Sequence, residues 1–313
     1  MSDSLNQPPA ALPGGVITPL VTFLDASGER PDPAQMGVLV EAQLTAGVNG
    51  LLAVGSTGEL GSLDRAGRRE TVRVVADAVS GRVPVWAGVG GLGTRDTVRA
   101  AREAVDVGAD AVLALQPLFF DCAEDELYAH FGAVAGAVDV PVIAYNVPVR
   151  TPRALSQELQ ERLVRDGVIA GIKDSSGDLS AGRLLCRALA GTAARVYTGG
   201  ELTLDSALAA GFHGIVPGFA NILPGPAVTM WEHAGRKDKD SLAAQETYLA
   251  LFDILAAELP GAGFPARAIG AIKCAAALTL GLPVPGSTMP LTPPTEEFSA
   301  AVAAVLRRAE VPG

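Results

Sequence analysis

Lys173 is the residue whose surroundings most invite chemistry. The chain holds four lysines. Lys237 and Lys239 fall in the charged run GRKDKD and Lys273 in an alanine-rich stretch, whereas Lys173 follows the apolar run VIAGI. A lysine free in water near neutral pH is almost wholly protonated. A stem buried at the end of an apolar strand favours the neutral amine, the form that attacks a carbonyl to give an imine. The plainer alternative is an ion pair with the adjacent Asp174. Tyr145 stands near the end of a second apolar run, VPVIAYN. Its phenol could pass protons to and from a carbonyl adduct, or be a core tyrosine with a bonded hydroxyl. Ser56 and Thr57 lie between Gly55 and Gly58. A strand-to-helix loop there can turn hydroxyls and backbone N–H groups toward a carboxylate, or simply cap the next helix.

Other chemistries are disfavoured. His130, His213 and His233 are isolated, with no HxH, HExxH or Cys-His cluster, so no metal site is expected. Gly88, Gly90 and Gly93 spell G-x-G-x-x-G, but they follow the third expected strand and not the first of a βαβ pair. No nucleotide cofactor is expected from them.

These residues need a scaffold that brings strand ends together. A helical stretch ending in Gly and leading into an apolar strand recurs at Gly47, Gly108, Gly167 and Gly211; glycine adopts the left-handed backbone that closes a helix. Val-Pro opens two further strands, at 83–84 and 140–141. Asp32-Pro33, with Gln35 placed to complete a capping box, predicts one helix start, and Thr151-Pro152 another. The pattern predicts strands over 15–22, 50–54, 83–88, 110–115, 141–146, 168–172, 194–198 and 214–217. All are continuous apolar runs, as in a parallel sheet covered on both faces. Eight strand–helix units predict an α/β fold, a (β/α)8 TIM barrel, with additional C-terminal helices near 240–257, 265–280 and 294–308. The expected organisation is a flexible tail over 1–14, the barrel over 15–235 and a helical extension packed on it over 236–313. In such a barrel reactive groups lie at the C-terminal ends of the strands, where Lys173, Tyr145 and Ser56-Thr57 all fall.

Bulk properties agree. With 313 residues and 49% of them apolar, the chain can bury a large core. A net charge of −10 without a basic stretch argues against nucleic-acid binding. No run is long and apolar enough for a membrane span or a leader peptide. Three cysteines without short spacing, Cys122, Cys186 and Cys274, suit a cytoplasmic protein.

Taken together, GSTGE (55–59), YNVPVRT (145–151), GIKDSSGD (171–178), TGGE (198–201) and TMPLTPPTEE (288–297) resemble the dihydrodipicolinate synthase / N-acetylneuraminate lyase family, from about Gly15 to about Leu306. The 28-residue step from Tyr145 to Lys173 agrees with it. The resemblance implies a lyase of the class I aldolase type whose Lys173 forms an imine with pyruvate or a pyruvate-derived 2-keto acid. It implies that Ser56 and Thr57 hold the carboxylate, that Ser56 also serves in a proton relay with Tyr145, and that Gly199 and the Val216 carbonyl line the pocket. It implies small-molecule substrates, no separate cofactor, and a homotetramer built as a dimer of dimers. Synthases of this family carry a tyrosine that reaches into the neighbouring subunit's relay, and alignment puts Phe119 there. Phe119 favours a related aldolase or dehydratase acting on a sugar-derived 2-keto acid. Arg150 matches the arginine with which synthases bind their second substrate. A barrel that binds a keto acid or nucleotide without turnover is the remaining alternative, opposed by the retention of Lys173 and Tyr145.

Overall fold

Asp32 opens the first helix as its sequence suggests. Its Oδ1 accepts the amides of Ala34 and Gln35 at 2.9 and 3.1 Å, satisfying donors that have no partner within the helix. The expected capping box is not completed: the Asp32 amide donates to Phe23 O at 2.8 Å, and Gln35 instead donates its Nε2 to the Asp32 carboxylate at 2.9 Å. At the other end Gly47 takes φ 86° and its N–H returns to the last turn; Gly108, Gly167 and Gly211 are left-handed in the same way. The second expected start fails. Thr151 donates its hydroxyl to the carbonyls of Val147 and Arg153, and the helix begins only after Ser156, whose Oγ accepts the Leu159 amide.

The computed structural model describes residues 11–25, 27–234, 239–284 and 286–311. Eight strands, β1 (Gly15–Pro19), β2 (Gly50–Ala53), β3 (Val85–Val89), β4 (Ala111–Ala114), β5 (Val142–Asn146), β6 (Gly171–Asp174), β7 (Arg195–Thr198) and β8 (Gly214–Ile215), pair in parallel, each with the next. β8 closes on β1 through Gly15↔Gly214. The helices between them are α1 (Pro33–Ala46), α2 (Arg65–Val79), α3 (Thr94–Val105), α4 (Glu124–Ala135), α5 (Gln157–Arg165), α6 (Leu179–Ala188), α7 (Leu204–Ala209) and α8 (Pro224–Glu232). α9 (Lys239–Leu251), α10 (Phe264–Thr279) and α11 (Glu296–Arg308) follow. This is the expected (β/α)8 barrel with C-terminal helices. Of the expected tail, residues 1–10 lie outside the described residues, as do Lys237 and the expected boundary at 235/236. Leu12 is buried, and the carbonyl of Pro13 accepts the Tyr197 hydroxyl at 2.5 Å. Tyr197 in turn meets Trp86 edge-to-face inside the core.

Every strand departs from its expected bounds at one end or both: β1 stops at Pro19 and not at 22, β3 starts at Val85 and not at 83, and β6 and β8 differ for reasons visible in their hydrogen bonds. The amides of Val168 and Ile169 return to the carbonyl of Leu163 at 2.9 and 3.2 Å. The end of α5 therefore uses up the first residues of the expected strand, and the ladder runs over Gly171–Asp174. Lys173 consequently sits inside β6, paired in register with Tyr145 of β5. β8 stops at Ile215, although the Val216 amide still bonds Thr198 O at 2.7 Å; Pro217 has no N–H to continue.

Candidate active site

Register decides what Lys173 meets. Tyr145 and Lys173 are paired on adjacent parallel strands, both are at most 5% exposed, and Lys173 Nζ lies 4.2 Å from the centre of the Tyr145 ring. The ion pair with Asp174 is not made. Asp174 accepts from Asn146 Nδ2 at 2.6 Å and from the Ser176 amide and hydroxyl, which ties the ends of β5 and β6 together and leaves the amine free of it. Burial opposes ionisation of the Tyr145 phenol. The Lys173 charge and the reach of Ser175, Ser56 and Lys173 toward the phenol outweigh that burial, so its pKa falls below the ordinary tyrosine value. Gly199 completes the wall. A Cβ there would stand 3.3 Å from Lys173 Cε, 3.7 Å from Nζ and in collision with Ser175 Oγ, so only glycine leaves room beside the amine.

Ser56 and Thr57 occupy a strained loop. Val54 has φ 55° and Glu59 φ 64°, a left-handed backbone that side-chain-bearing residues rarely take, a β-branched one least of all. Gly88 permits this, because a Cβ there would collide with the Val54 carbonyl. The glycine that spelled part of a dinucleotide motif is thus a packing device. Ser56 also lines an open cavity of about 470 Å³ with Glu59, Leu115, Arg150, Pro265 and Ile269. Arg150 is exposed on its rim. A second cavity of about 280 Å³, between α2 and α3 and lined by Arg65, Arg69 and Arg99 among others, holds none of these reactive groups.

The structure therefore gathers Lys173, Tyr145, Ser56 and Gly199, and sets Arg150 at the edge of the cavity that Ser56 lines. Val216 is buried one residue beyond β8. Thr57 lies near Gly218: its Oγ1 would be 4.0 Å from a Cβ added to that glycine. Phe119, expected in a neighbouring subunit's relay, lies away from the site of its own chain. It is 68% exposed and packs edge-to-face on the equally exposed Phe120.

Sequence reading missed two groups. Glu201, the last residue of TGGE, accepts the Gly218 amide through Oε1, while its Oε2 is buried without a hydrogen-bond partner. Burial, opposed by the Gly218 and Phe219 amides and the Lys173 charge, raises its pKa from 4.5 to about 7. The second is Lys273, whose ammonium is fully buried on Glu59. Both motifs were visible, but neither the orphan oxygen nor the long-range partner has a local signal.

With this geometry established, comparison with known proteins is decisive. Residues 12–309 match the model of the dihydrodipicolinate synthetase family. The chain belongs to this family. Relatives include the 4-hydroxy-tetrahydrodipicolinate synthase of Thioalkalivibrio sulfidiphilus, 36% identical across 95% of this chain and 98% of that protein. That of Sorangium cellulosum is 35% identical across 95% and 96%. Among solved structures, the dihydrodipicolinate synthase of Acinetobacter baumannii complexed with pyruvate has TM-score 0.83 and 30% identity, covering 95% of this chain and 99% of that one. YagE of Escherichia coli K12, a prophage protein of the same family in complex with pyruvate, has TM-score 0.88 and 28% identity, covering 96% and 100%.

Proposed function

We propose that this pyruvate-dependent lyase works through an imine on Lys173, with Tyr145 and Ser56 as its proton-handling groups. The observation that carries the reading is the buried Lys173–Tyr145 pair, with Ser56 in reach of the phenol and Gly199 leaving space beside the amine. In this reading the neutral amine of Lys173 adds to the keto carbon. Tyr145 delivers a proton to the departing oxygen, which leaves as water, and the nitrogen becomes an iminium. The Tyr145 phenolate takes up a methyl proton to give the enamine, which attacks an aldehyde carbon while the phenol returns the proton to the aldehyde oxygen; water then hydrolyses the iminium and frees Lys173, and the reverse sequence cleaves a 4-hydroxy-2-keto acid. Ser56 and Thr57 hold the carboxylate, with Gly199 and the carbonyl of Val216 beside the imine, and Arg150 receives the second substrate's acidic end. The protonated imine nitrogen is itself the electron sink, so neither metal nor nucleotide is required.

The partner substrate divides into two readings. Condensation with aspartate semialdehyde is favoured by Arg150 on the cavity rim. A sugar-derived 2-keto acid is favoured by Phe119, which has no hydroxyl to give a neighbour's relay. We further propose a homotetramer, with the exposed patch of Phe119, Phe120 and Val149 in a subunit contact. Barrel (15–235) and extension (236–313) would act as one unit in a reducing cytoplasm, in line with three free cysteines. No helix among the described residues is long and apolar enough to cross a membrane.

Borohydride reduction in the presence of pyruvate, followed by peptide mass spectrometry, tests the reading. One pyruvyl adduct on the Lys173 peptide, lost in Lys173→Ala, is expected. An adduct on another lysine, or none, refutes it.

A further inference from the structure

The strained loop that carries Ser56 and Thr57 is held from an unexpected direction. Within the loop the Leu60 amide bonds Gly55 O at 3.1 Å and the Glu59 amide bonds Ser56 O at 3.3 Å. From β1's side, the Thr22 hydroxyl donates to Gly58 O at 2.9 Å. The Glu59 side chain turns the other way. One carboxylate oxygen accepts from Lys273 Nζ, and the other from the amide of Thr288, at 2.7 Å, and its hydroxyl. Lys273 Nζ also donates to Gly286 O at 2.7 Å. Both charged residues are at most 1% exposed. Glu59 thus joins three segments: its own loop, α10, and the stretch 286–288.

A buried ion pair is a poor device for stability alone, because desolvating both charges offsets most of their attraction; replacing such a pair by apolar groups is often neutral or stabilising. What it supplies here is a fixed point. Its carboxylate accepts from three donors, and its backbone is the left-handed residue that ends the loop. The helix that provides Lys273 also provides Pro265 and Ile269 to the wall of the cavity that Ser56 lines. Displacement of the junction would therefore move Ser56 and Thr57 relative to both Lys173 and that wall.

We propose that Glu59, Lys273 and Thr288 form a positioning junction through which α10 and the stretch 286–288 set the carboxylate-binding loop in its strained, binding-competent form. This rests on the reading of Ser56 and Thr57 as carboxylate ligands. The junction touches no reacting atom; it acts through the loop.

The test uses full-length protein. Glu59→Gln combined with Lys273→Met removes both charges, so that neither is left alone in the interior. Thr288→Val is the milder form, which removes one hydroxyl and keeps the ion pair. Circular dichroism and the unfolding midpoint establish that each variant is folded. The double variant is expected to raise KM for pyruvate about tenfold or more with kcat within about threefold, the pattern of lost ground-state binding. Hydrogen exchange at the amides of residues 55–60 is expected to quicken. Thr288→Val shifts both readouts in the same direction by less. A folded double variant with wild-type KM overturns the proposal, and so does wild-type exchange at the loop. If the wild type itself traps no pyruvate, the functional reading has failed. The exchange arm alone then decides the junction: faster exchange sustains it and unchanged exchange removes it.

Discussion

The pH dependence of stability offers a quantitative check on Glu201. In the fold its carboxyl titrates near 7, against 4.5 for an unperturbed glutamate, because burial disfavours the charged form more than the Gly218 and Phe219 amides and Lys173 favour it. The native state therefore holds a proton between about pH 4.5 and 7 that the unfolded chain has released. The sign follows from linkage: this residue's contribution is fully present below 4.5 and is lost as pH rises through 7. At about 1.4 kcal/mol per pH unit the window is worth about 3 kcal/mol at most. Glu201 is partly exposed as a residue, but the oxygen without a partner is not, which keeps most of the effect. Glu201→Gln resembles the protonated acid and does not titrate. Urea unfolding of both proteins at pH 5 and pH 8 isolates the term: relative to wild type, the variant should gain about 2–3 kcal/mol between the two pH values. Parallel stability in the two proteins, within about 0.5 kcal/mol across the range, would show that the carboxyl reaches solvent and titrates normally.

Two further variants bear on the chemistry. Tyr145→Phe should keep the fold and most pyruvate affinity while turnover falls by about 10²–10⁴-fold, the range for a general acid–base group; near wild-type kcat in steady-state assays would make the hydroxyl a bystander. Phe119→Tyr should raise condensation with aspartate semialdehyde by about 10-fold or more if the side chain enters a neighbour's relay. No gain there, with sugar-acid turnover unchanged, would assign the site to the second reading.

What the sequence disclosed follows from how local each signal is. Glycines that must be left-handed and apolar runs buried on both faces are written in neighbouring residues, so all eight strands and the three C-terminal helices are legible. Lys173 and Tyr145 are legible because strand ends in a barrel converge. The start of β6 was not, because whether Val168 and Ile169 belong to a strand depends on where α5 releases its last carbonyls. Thr151-Pro152 carries a cap's composition, yet its hydroxyl has better acceptors in two loop carbonyls. Glu59 stood in view within GSTGE, but its partners lie 214 and 229 residues away, beyond any local rule.

The two buried lysines show how a partner group divides chemistry from structure. Lys273 is completely buried and Lys173 nearly so, and both stems cross apolar surroundings. Burial pushes the Lys273 ammonium toward the neutral form, and the Glu59 carboxylate opposes it. With Nζ bonded to that carboxylate and to Gly286 O, its donors are engaged and its lone pair has no access to a substrate. Among the described residues, no carboxylate stands within ion-pair distance of Lys173 Nζ. Asp174, adjacent in sequence, is held by Asn146 and Ser176, and the amine faces the Tyr145 ring instead. An amine without a carboxylate partner is open to a carbonyl in a way that one bonded into an ion pair is not. The same side chain is thus bonded to a carboxylate at 273 and left without one at 173.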